Sequence, residues 1–314
     1  MEGDPHTEGP IEGVANISDS DISPVLEAAL ENRLDVLKKL IEEGKSIHDK
    51  YIDGKTALHL AAMEGHTECV RMLLIEGKSI NDKDNSGLTA LHLAAMRGHT
   101  ECVRLLSNEM SIHDKDDDGW TPLHFAAIKG HTECVKLLSN EMSIHDKDDD
   151  GCTPLHFAAI RGHTECVRVL LNEKSCDVNV PSNHGLTPLM SALNAFLGME
   201  MRNKECIKIL LEHGASTKFN DRFGETALHK ALYDEQLDLE VVKWLFQGTE
   251  NPPTLRQLAR TKIRIQMSNC DKFSTWNIRT LSLPGTLMEY VRLTELEDGS
   301  EEQKLMKRVT EILL

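Results

Sequence analysis

Residues 119–138 read GWTPLHFAAIKGHTECVKLL, and residues 151–171 read GCTPLHFAAIRGHTECVRVLL. Two further copies precede them, GKTALHLAAMEGHTECVRMLL at 54–74 and GLTALHLAAMRGHTECVRLL at 87–106. A unit that recurs every 32 to 34 residues predicts a stack of equivalent elements rather than one globular core. The glycine that opens each unit stands at Gly54, Gly87, Gly119, Gly151 and Gly185, and again at Gly224 after a longer interval.

Each unit carries the local signals of two short helices. Thr121 can cap the first helix through its hydroxyl oxygen, and Pro122 lies in the first turn, where no amide donor is missed. Gly130 ends that helix and Thr132 begins the second. Apolar residues then recur at helical spacing in both helices, at Leu123, Ala126, Ala127, Cys134, Val135, Leu137 and Leu138.

The first unit and the last two units depart from this pattern. Residues 21–53 keep the helix pair but have Leu26 where the other units have histidine, which suits a terminal unit. In residues 183–221, Met190 replaces the histidine and about six extra residues lengthen the link between the helices. A seventh unit follows, with His229 at the histidine position, so we predict about seven stacked helix pairs across residues 21–248.

The unit, with its opening T-P-L-H-x-A-A, closely resembles the ankyrin repeat. This resemblance implies a mainly α fold, an ankyrin-repeat solenoid of helix-turn-helix units with β-turn fingers. It also implies that the chain holds another protein. Residues 1–20 are predicted to be a disordered N-terminal segment.

Composition narrows the classes of partner and compartment. A formal net charge of −16 disfavours nucleic acid and anionic membrane, since both bind surplus Lys and Arg. No apolar run is long enough to span a membrane, and no signal-peptide pattern opens the chain. We expect a reducing compartment, the cytoplasm or nucleus, because the recurring cysteines fit a core better than a disulfide framework. These are Cys69, Cys102, Cys134, Cys166 and Cys206.

The sequence suggests a histidine metal site, a calcium loop and a catalytic cysteine, and we expect none of the three. The histidines of the T-P-L-H motif lie one repeat apart, beyond the reach of a single metal ion, and in ankyrin repeats this histidine bridges turns. The stretches DKDDDG at 114–119 and 146–151 match the first half of a calcium loop, but Phe125 and Phe157 stand where the bidentate glutamate is needed. Cys152 has no fixed basic neighbour, so we expect neither an enzyme nor a cofactor.

Positions that differ between near-identical units are candidates for contact with a partner. One such position follows the opening glycine, and another lies at the end of the first helix. By resemblance, both line the concave face. Trp120 is expected to be an exposed anchor on its turn, and the alternative is that it packs on the neighbouring turns. The predicted substrate-binding residues are Leu88, Met96, Arg97, Trp120, Ile128, Lys129, Cys152, Ile160 and Arg161.

After residue 248 the repeat stops, and the proline pair in GTENPPTLRQL precedes a new helix with one apolar face. The stretches TLRQLARTKIR and IRTLSLPGTLMEYV resemble the SOCS box of the ankyrin-repeat and SOCS-box family, here residues 252–292. The resemblance implies a small helical module whose first half binds elongin C, which pairs with elongin B. The elongin-binding residues would be Leu255, Leu258, Ala259 and Ile263.

The second half of the box resembles the segment that selects cullin-5, which acts with its RING protein. The cullin-binding residues would be Ile278, Leu281, Leu283, Pro284, Leu287 and Tyr290. Two positions depart from the family pattern: Ser282 replaces the first proline of the usual L-P-L-P, and in the first half of the box Ala259 replaces the usual cysteine.

The leading hypothesis for the whole chain is a substrate adaptor of a ubiquitin ligase, and the alternative is an ankyrin scaffold without a ligase. Residues 293–314, after the box, are predicted to be a charged tail with a short helix.

Overall fold

The computed structural model describes residues 22–77, 79–193 and 203–233, together with 241, 244 and 245. It divides into two compact units, residues 1–117 and residues 118–314, and each is described by itself. The described residues contain helices and turns without a strand, and one isolated β-bridge joins Lys50 to Thr56. The predicted helical fold is therefore confirmed for these residues, whereas the predicted C-terminal module at 252–292 lies outside them.

The first unit consists of three consecutive helix pairs. Within it, the first helix of each pair packs on the first helix of the next, and the second helices pack in the same way. A single turn of 3-10 helix at Ser111–His113 follows the last pair. The helices are α1 Pro24–Leu30, α2 Leu34–Glu42, α3 Ala57–Glu64, α4 Thr67–Ile75, α5 Ala90–Arg97 and α6 Thr100–Leu106.

The second unit continues the same pattern. Helices α7, α9, α11 and α13 are first helices, and α8, α10 and α12 are second helices. A 3-10 turn lies at Ser143–His145. The helices are α7 Pro122–Lys129, α8 Thr132–Leu138, α9 Pro154–Ile160, α10 Thr164–Asn172, α11 Pro188–Ala192, α12 Asn203–Glu212 and α13 Ala227–Tyr233.

Local sequence explains where these helices begin and end. Thr121 is the N-cap of α7 and Pro122 its first residue, as predicted. Gly130 ends the helix with φ of 78°, a left-handed conformation that glycine adopts without strain. The link between the helices of one pair is therefore only two residues long, which holds the pair together tightly.

The core is made of small residues and leucines from both helices. Ala126 and Ala127 are fully buried, and small side chains at this position let neighbouring first helices approach closely. The predicted placement of the repeated cysteines in the core is confirmed, because all five are buried free thiols. In three of them the sulfur lies 3.4 to 3.8 Å from a threonine hydroxyl of the preceding pair, at Thr67–Cys102, Thr132–Cys166 and Thr164–Cys206.

Candidate binding surface

The histidine of the T-P-L-H motif joins consecutive helix pairs. His59 is buried, and its Nδ1 accepts the backbone N–H of Thr56 at 3.2 Å. The proton therefore lies on Nε2, which donates to the carbonyl of Leu88 in the next pair at 3.0 Å. The same bridge joins His124 to Cys152 and His156 to Leu186. The predicted structural role of this histidine is confirmed at these positions, and the side chain of His229 lies outside the described residues.

A second histidine series, which the sequence did not reveal, joins the helix pairs in the opposite direction. Nε2 of His99 donates to the carbonyl of Met63 in the preceding pair at 2.9 Å, and His163 reaches Ile128 at 3.0 Å. The glycine of the preceding pair leaves room for this ring, since a Cβ on Gly130 would lie 2.5 Å from His163. In the repeats that carry both histidines, the two rings thus join consecutive helix pairs in opposite directions.

The turns that precede each first helix form a hydrogen-bonded series of fingers. In the first unit the N–H of Asn85 donates to the carbonyl of Asp53 at 2.9 Å. In the second unit Asn183 donates to Asp150 at 2.8 Å, and Arg222 to His184 at 2.9 Å. Each bond joins the tip of one finger to the tip before it, so that neighbouring tips are held at a fixed spacing.

The prediction that Trp120 is an exposed anchor is wrong. The residue is only 6 % exposed, and its ring contacts those of Phe125 and Phe157, with centroid distances of 5.1 and 4.3 Å. Burying a large aromatic ring removes much apolar surface from water, and the tilted ring contacts add to this stabilisation. Trp120 therefore stabilises the stack and offers little surface to a partner.

Other members of the predicted set are also less accessible than expected. Ile128 is buried in the core, which contradicts its predicted contact with a substrate. Cys152 is half-buried, and burial together with nearby carboxylates raises the pKa of its thiol to about 12. Leu88 and Ile160 are half-buried as well. Variation between repeats at these positions thus reflects packing between neighbouring repeats.

The accessible members of the predicted set lie at the ends of the first helices and are mostly charged. Arg97 ends α5 in the first unit and is exposed, whereas the adjoining Met96 is half-buried. Lys129 ends α7 in the second unit and is also exposed, and Arg161, directly after α9, is half-buried. Positive charge at the C-terminal end of a helix is favourable in itself. It also gives these helix ends a basic character within an acidic protein.

The fingers of the second unit are acidic at their exposed tips. Asp149 and Asp150 are exposed, and Asp148 lies buried beneath them with Oδ1 accepting the N–H of Cys152 at 2.7 Å. Burial raises the pKa of Asp148 to about 6, and the two neighbouring carboxylates add to the shift. The Asp148 carboxylate is thus occupied in closing the turn. No cluster of three metal-ligating side chains occurs in the described part of the chain.

Sequence reasoning missed the apolar residues that stand out on loops. Ile52 is 76 % exposed on a finger of the first unit, and Phe223 is 70 % exposed on the last described finger of the second. Met142 is exposed on a loop of the second unit as well. Aligning the residues directly before each finger glycine could have found Phe223, because Asp150 and His184 occupy that position in the fingers before it.

Comparison with known families agrees with this architecture. The family described as ankyrin repeats matches residues 25–116, 73–148, 98–182, 140–201 and 183–254, which together span most of the chain. The chain belongs to the ankyrin-repeat family. Ankyrin repeats bind proteins, so the described repeats form a protein-binding domain.

Solved ankyrin-repeat structures are similar to much of the chain. The crystal structure of the human ASB11 ankyrin repeat domain matches with 29 % identity and a TM-score of 0.62, covering 74 % of this chain and 100 % of that one. The ankyrin repeat domain of Bcl-3 matches at 24 % identity and a TM-score of 0.59, covering 72 % and 98 %, and supports the fold alone. No curated protein matches the chain significantly. Among the described residues, no helix combines the length and apolar character needed to cross a membrane.

Proposed function

We propose that the chain is a substrate adaptor of a ubiquitin ligase, in which the ankyrin repeats hold the target and the C-terminal segment recruits elongin C and elongin B with cullin-5 and its RING protein. The adaptor itself performs no chemistry. It raises the local concentration of target lysines near the charged conjugating enzyme. The observation that carries this proposal is the box-like sequence at residues 252–292, which follows an ankyrin-repeat domain in the order typical of ankyrin-repeat and SOCS-box proteins.

The similarity to ASB11 supports this proposal. ASB11 is an ankyrin-repeat and SOCS-box protein, and its repeat domain is covered in full by the match. The match extends over the repeats, so the ligase link depends on the sequence of the box. In that sequence Leu255, Leu258, Ala259 and Ile263 fall on one face of a predicted helix, which suits insertion into an apolar groove.

Capture of elongin C by the full chain tests the first half of the box. We expect Leu255→Asp to abolish capture, because a charge would enter the apolar contact. Gln257→Asp is the matched control, since it adds the same side chain on the opposite face of the predicted helix. Equal capture of elongin C by the wild type and Leu255→Asp would contradict the box assignment.

Cullin-5 recruitment requires a separate measurement. Pro284→Ala is expected to weaken capture of cullin-5 by the preformed elongin complex while leaving elongin capture unchanged. Ser282→Pro restores the usual L-P-L-P and is expected to strengthen capture of cullin-5. A ligase without cullin-5 would give no response to either substitution.

The second candidate function is an ankyrin scaffold without a ligase, in which the C-terminal segment caps the last repeat. The long apolar stripe of the predicted helix needs a partner, and the end of the repeat array could provide one. Deleting residues 250–314 distinguishes the two functions. A cap predicts aggregation or a lower melting temperature, whereas a separable adaptor module predicts intact repeats that have lost elongin C.

A further inference from the structure

The last described finger of the second unit differs in character from the fingers before it. Its tip carries Phe223, 70 % exposed, and Phe219, 38 % exposed, lies four residues earlier. The two preceding fingers have Asp150 and His184 at the position of Phe223. A phenyl ring left in water by the folded chain, where its neighbours are polar, indicates a contact surface rather than a packing residue.

This finger is held in one conformation by an ion-pair cluster around the buried Asp221. Oδ1 of Asp221 accepts the backbone N–H groups of Phe223 and Glu225, each at 2.9 Å. Its second oxygen lies 2.7 Å from Nζ of Lys230, and that amine also binds Glu225 at 2.6 Å. The backbone under Phe223 is therefore fixed before any partner arrives, which reduces the entropy lost on binding.

A positively charged group is fixed beside the exposed ring. The guanidinium of Arg222 lies 4.8 Å from the centroid of the Phe223 ring, and Nη1 donates to Nδ1 of His184 at 2.9 Å. The other ring nitrogen of His184 lies 3.5 Å from a carboxylate oxygen of Asp150. Lys218 is exposed nearby in the sequence, and neither it nor Arg222 forms an ion pair with another described residue.

We propose that residues 218–225, the aromatic finger, bind a partner-protein segment that carries a carboxylate beside an apolar side chain. Arg222 retains N–H donors that can bind a carboxylate in bidentate fashion. Phe223 and Phe219 then offer apolar surface to the neighbouring side chain. This assignment deepens the proposed function, on which it rests, by naming the chemistry of the held segment.

The test is selection of short random peptides displayed on phage against the full chain. We expect enriched peptides in which Asp or Glu adjoins an aromatic or aliphatic residue. Affinity of these peptides should fall by about tenfold or more in Phe223→Ala and in Arg222→Glu. Lys218→Glu provides a second charge reversal at a side chain that takes no part in the turn, and Met142→Ala is the control at an exposed apolar residue of the same unit.

The outcomes separate this assignment from the ligase proposal. Binding by all variants at wild-type affinity, or no enrichment of acidic and apolar pairs, would overturn the assignment of the aromatic finger. Melting curves that match the wild type show that a variant is folded. Leu255→Asp should bind the peptides normally, and Phe223→Ala should capture elongin C normally, so failure of one proposal is distinguishable from failure of the other.

Discussion

The rings of Trp120 and Phe157 lie 4.3 Å apart between centroids at an interplanar angle of 44°. Trp120 belongs to the turn before α7, and Phe157 lies in α9, the first helix of the next pair. This contact therefore joins consecutive repeats through side chains that only some repeats possess. It explains why a residue that varies from repeat to repeat can be buried.

Removing the indole should destabilise the second unit strongly. We expect Trp120→Ala to lower the free energy of unfolding by about 3 to 5 kcal/mol, because the substitution removes apolar contacts and leaves a cavity. Met142→Ala, at an exposed site, should change it by less than about 0.5 kcal/mol. Urea denaturation followed by circular dichroism measures both. A loss for Trp120→Ala no larger than that of the control would mean that the ring is not buried in solution.

Pairing that substitution with Phe157→Leu isolates the contact between the rings. The double-mutant cycle should give a coupling of about 0.5 to 1.5 kcal/mol, since aromatic pairs contribute beyond their buried area. Strict additivity of the two single changes would instead indicate that the rings act separately.

Two glycines with the same backbone conformation should respond differently to alanine. Gly130 and Gly214 have φ of 78° and 87°, so each Cβ brings a similar strain of about 1 to 2 kcal/mol. A Cβ at Gly130 would also lie 2.5 Å from the ring of His163, whereas one at Gly214 meets nothing within 4 Å. Gly130→Ala should therefore cost about 1 to 3 kcal/mol more than Gly214→Ala in denaturant titrations. Equal costs would show that the His163 ring can move aside freely.

Acid should weaken the histidine bridges. Burial lowers the pKa of His156 from 6.5 to about 4, so the unfolded chain binds a proton that the folded chain rejects between these values. The contribution of His156 is complete above pH 6.5 and is lost as the pH falls toward 4, at up to about 1.4 kcal/mol per pH unit. The pKa of His59 is lowered for the same reason.

The comparison with His156→Gln separates this effect from other titrations. Asp148 opposes it, because its raised pKa of about 6 makes the folded chain bind a proton more readily than the unfolded chain between pH 6 and 3.8. Glutamine does not titrate, so the stability advantage of the wild type over His156→Gln should shrink from pH 7.5 to pH 5. A constant difference over that range would rule out the neutral His156 bridge.

The thiols of the described residues should be unreactive in the folded protein. Burial raises the pKa of Cys152 to about 12 and that of Cys176 to about 11, and the repeated core cysteines Cys69, Cys102, Cys166 and Cys206 shift in the same direction. Because the thiolate is the reactive form, a Cys270→Ser chain, which keeps only the described cysteines, should be labelled slowly by a disulfide reagent at pH 8 until denaturant is added. Cys152→Ser should leave the rate for the native protein unchanged. A fast native phase that this substitution removes would contradict the burial of Cys152.

The repeat and its local chemistry could be read without coordinates because they depend on near neighbours in the chain. Spacing within one repeat predicts where the first helix begins, at Thr121 and Pro122, and where it ends, at Gly130. It also predicts the burial of the repeated cysteines. The bridging role of the first histidine was predicted from the family resemblance, because the carbonyl that it reaches belongs to the next repeat; only its bond to the threonine three residues earlier is local.

The accessible surface was predicted less well. Trp120 and Ile128 were expected to face a partner and are buried, because their neighbours belong to the next repeat and their packing depends on which side chains stand there. The second histidine series was missed, since the carbonyl that receives the His163 bond is 35 residues away in the chain. The exposed Phe223 was missed as well.

The sequence by itself therefore determined the repeat, the helix pairs and the family, since each depends on local periodicity and on contacts that recur from one repeat to the next. It also carries the box-like motif at residues 252–292, on which the ligase proposal depends. Only the tertiary structure decided which variable residues are buried and which are displayed. The reason is physical: burial depends on the fit between side chains of adjacent repeats, and that fit turned Trp120 inward and left Phe223 in solvent.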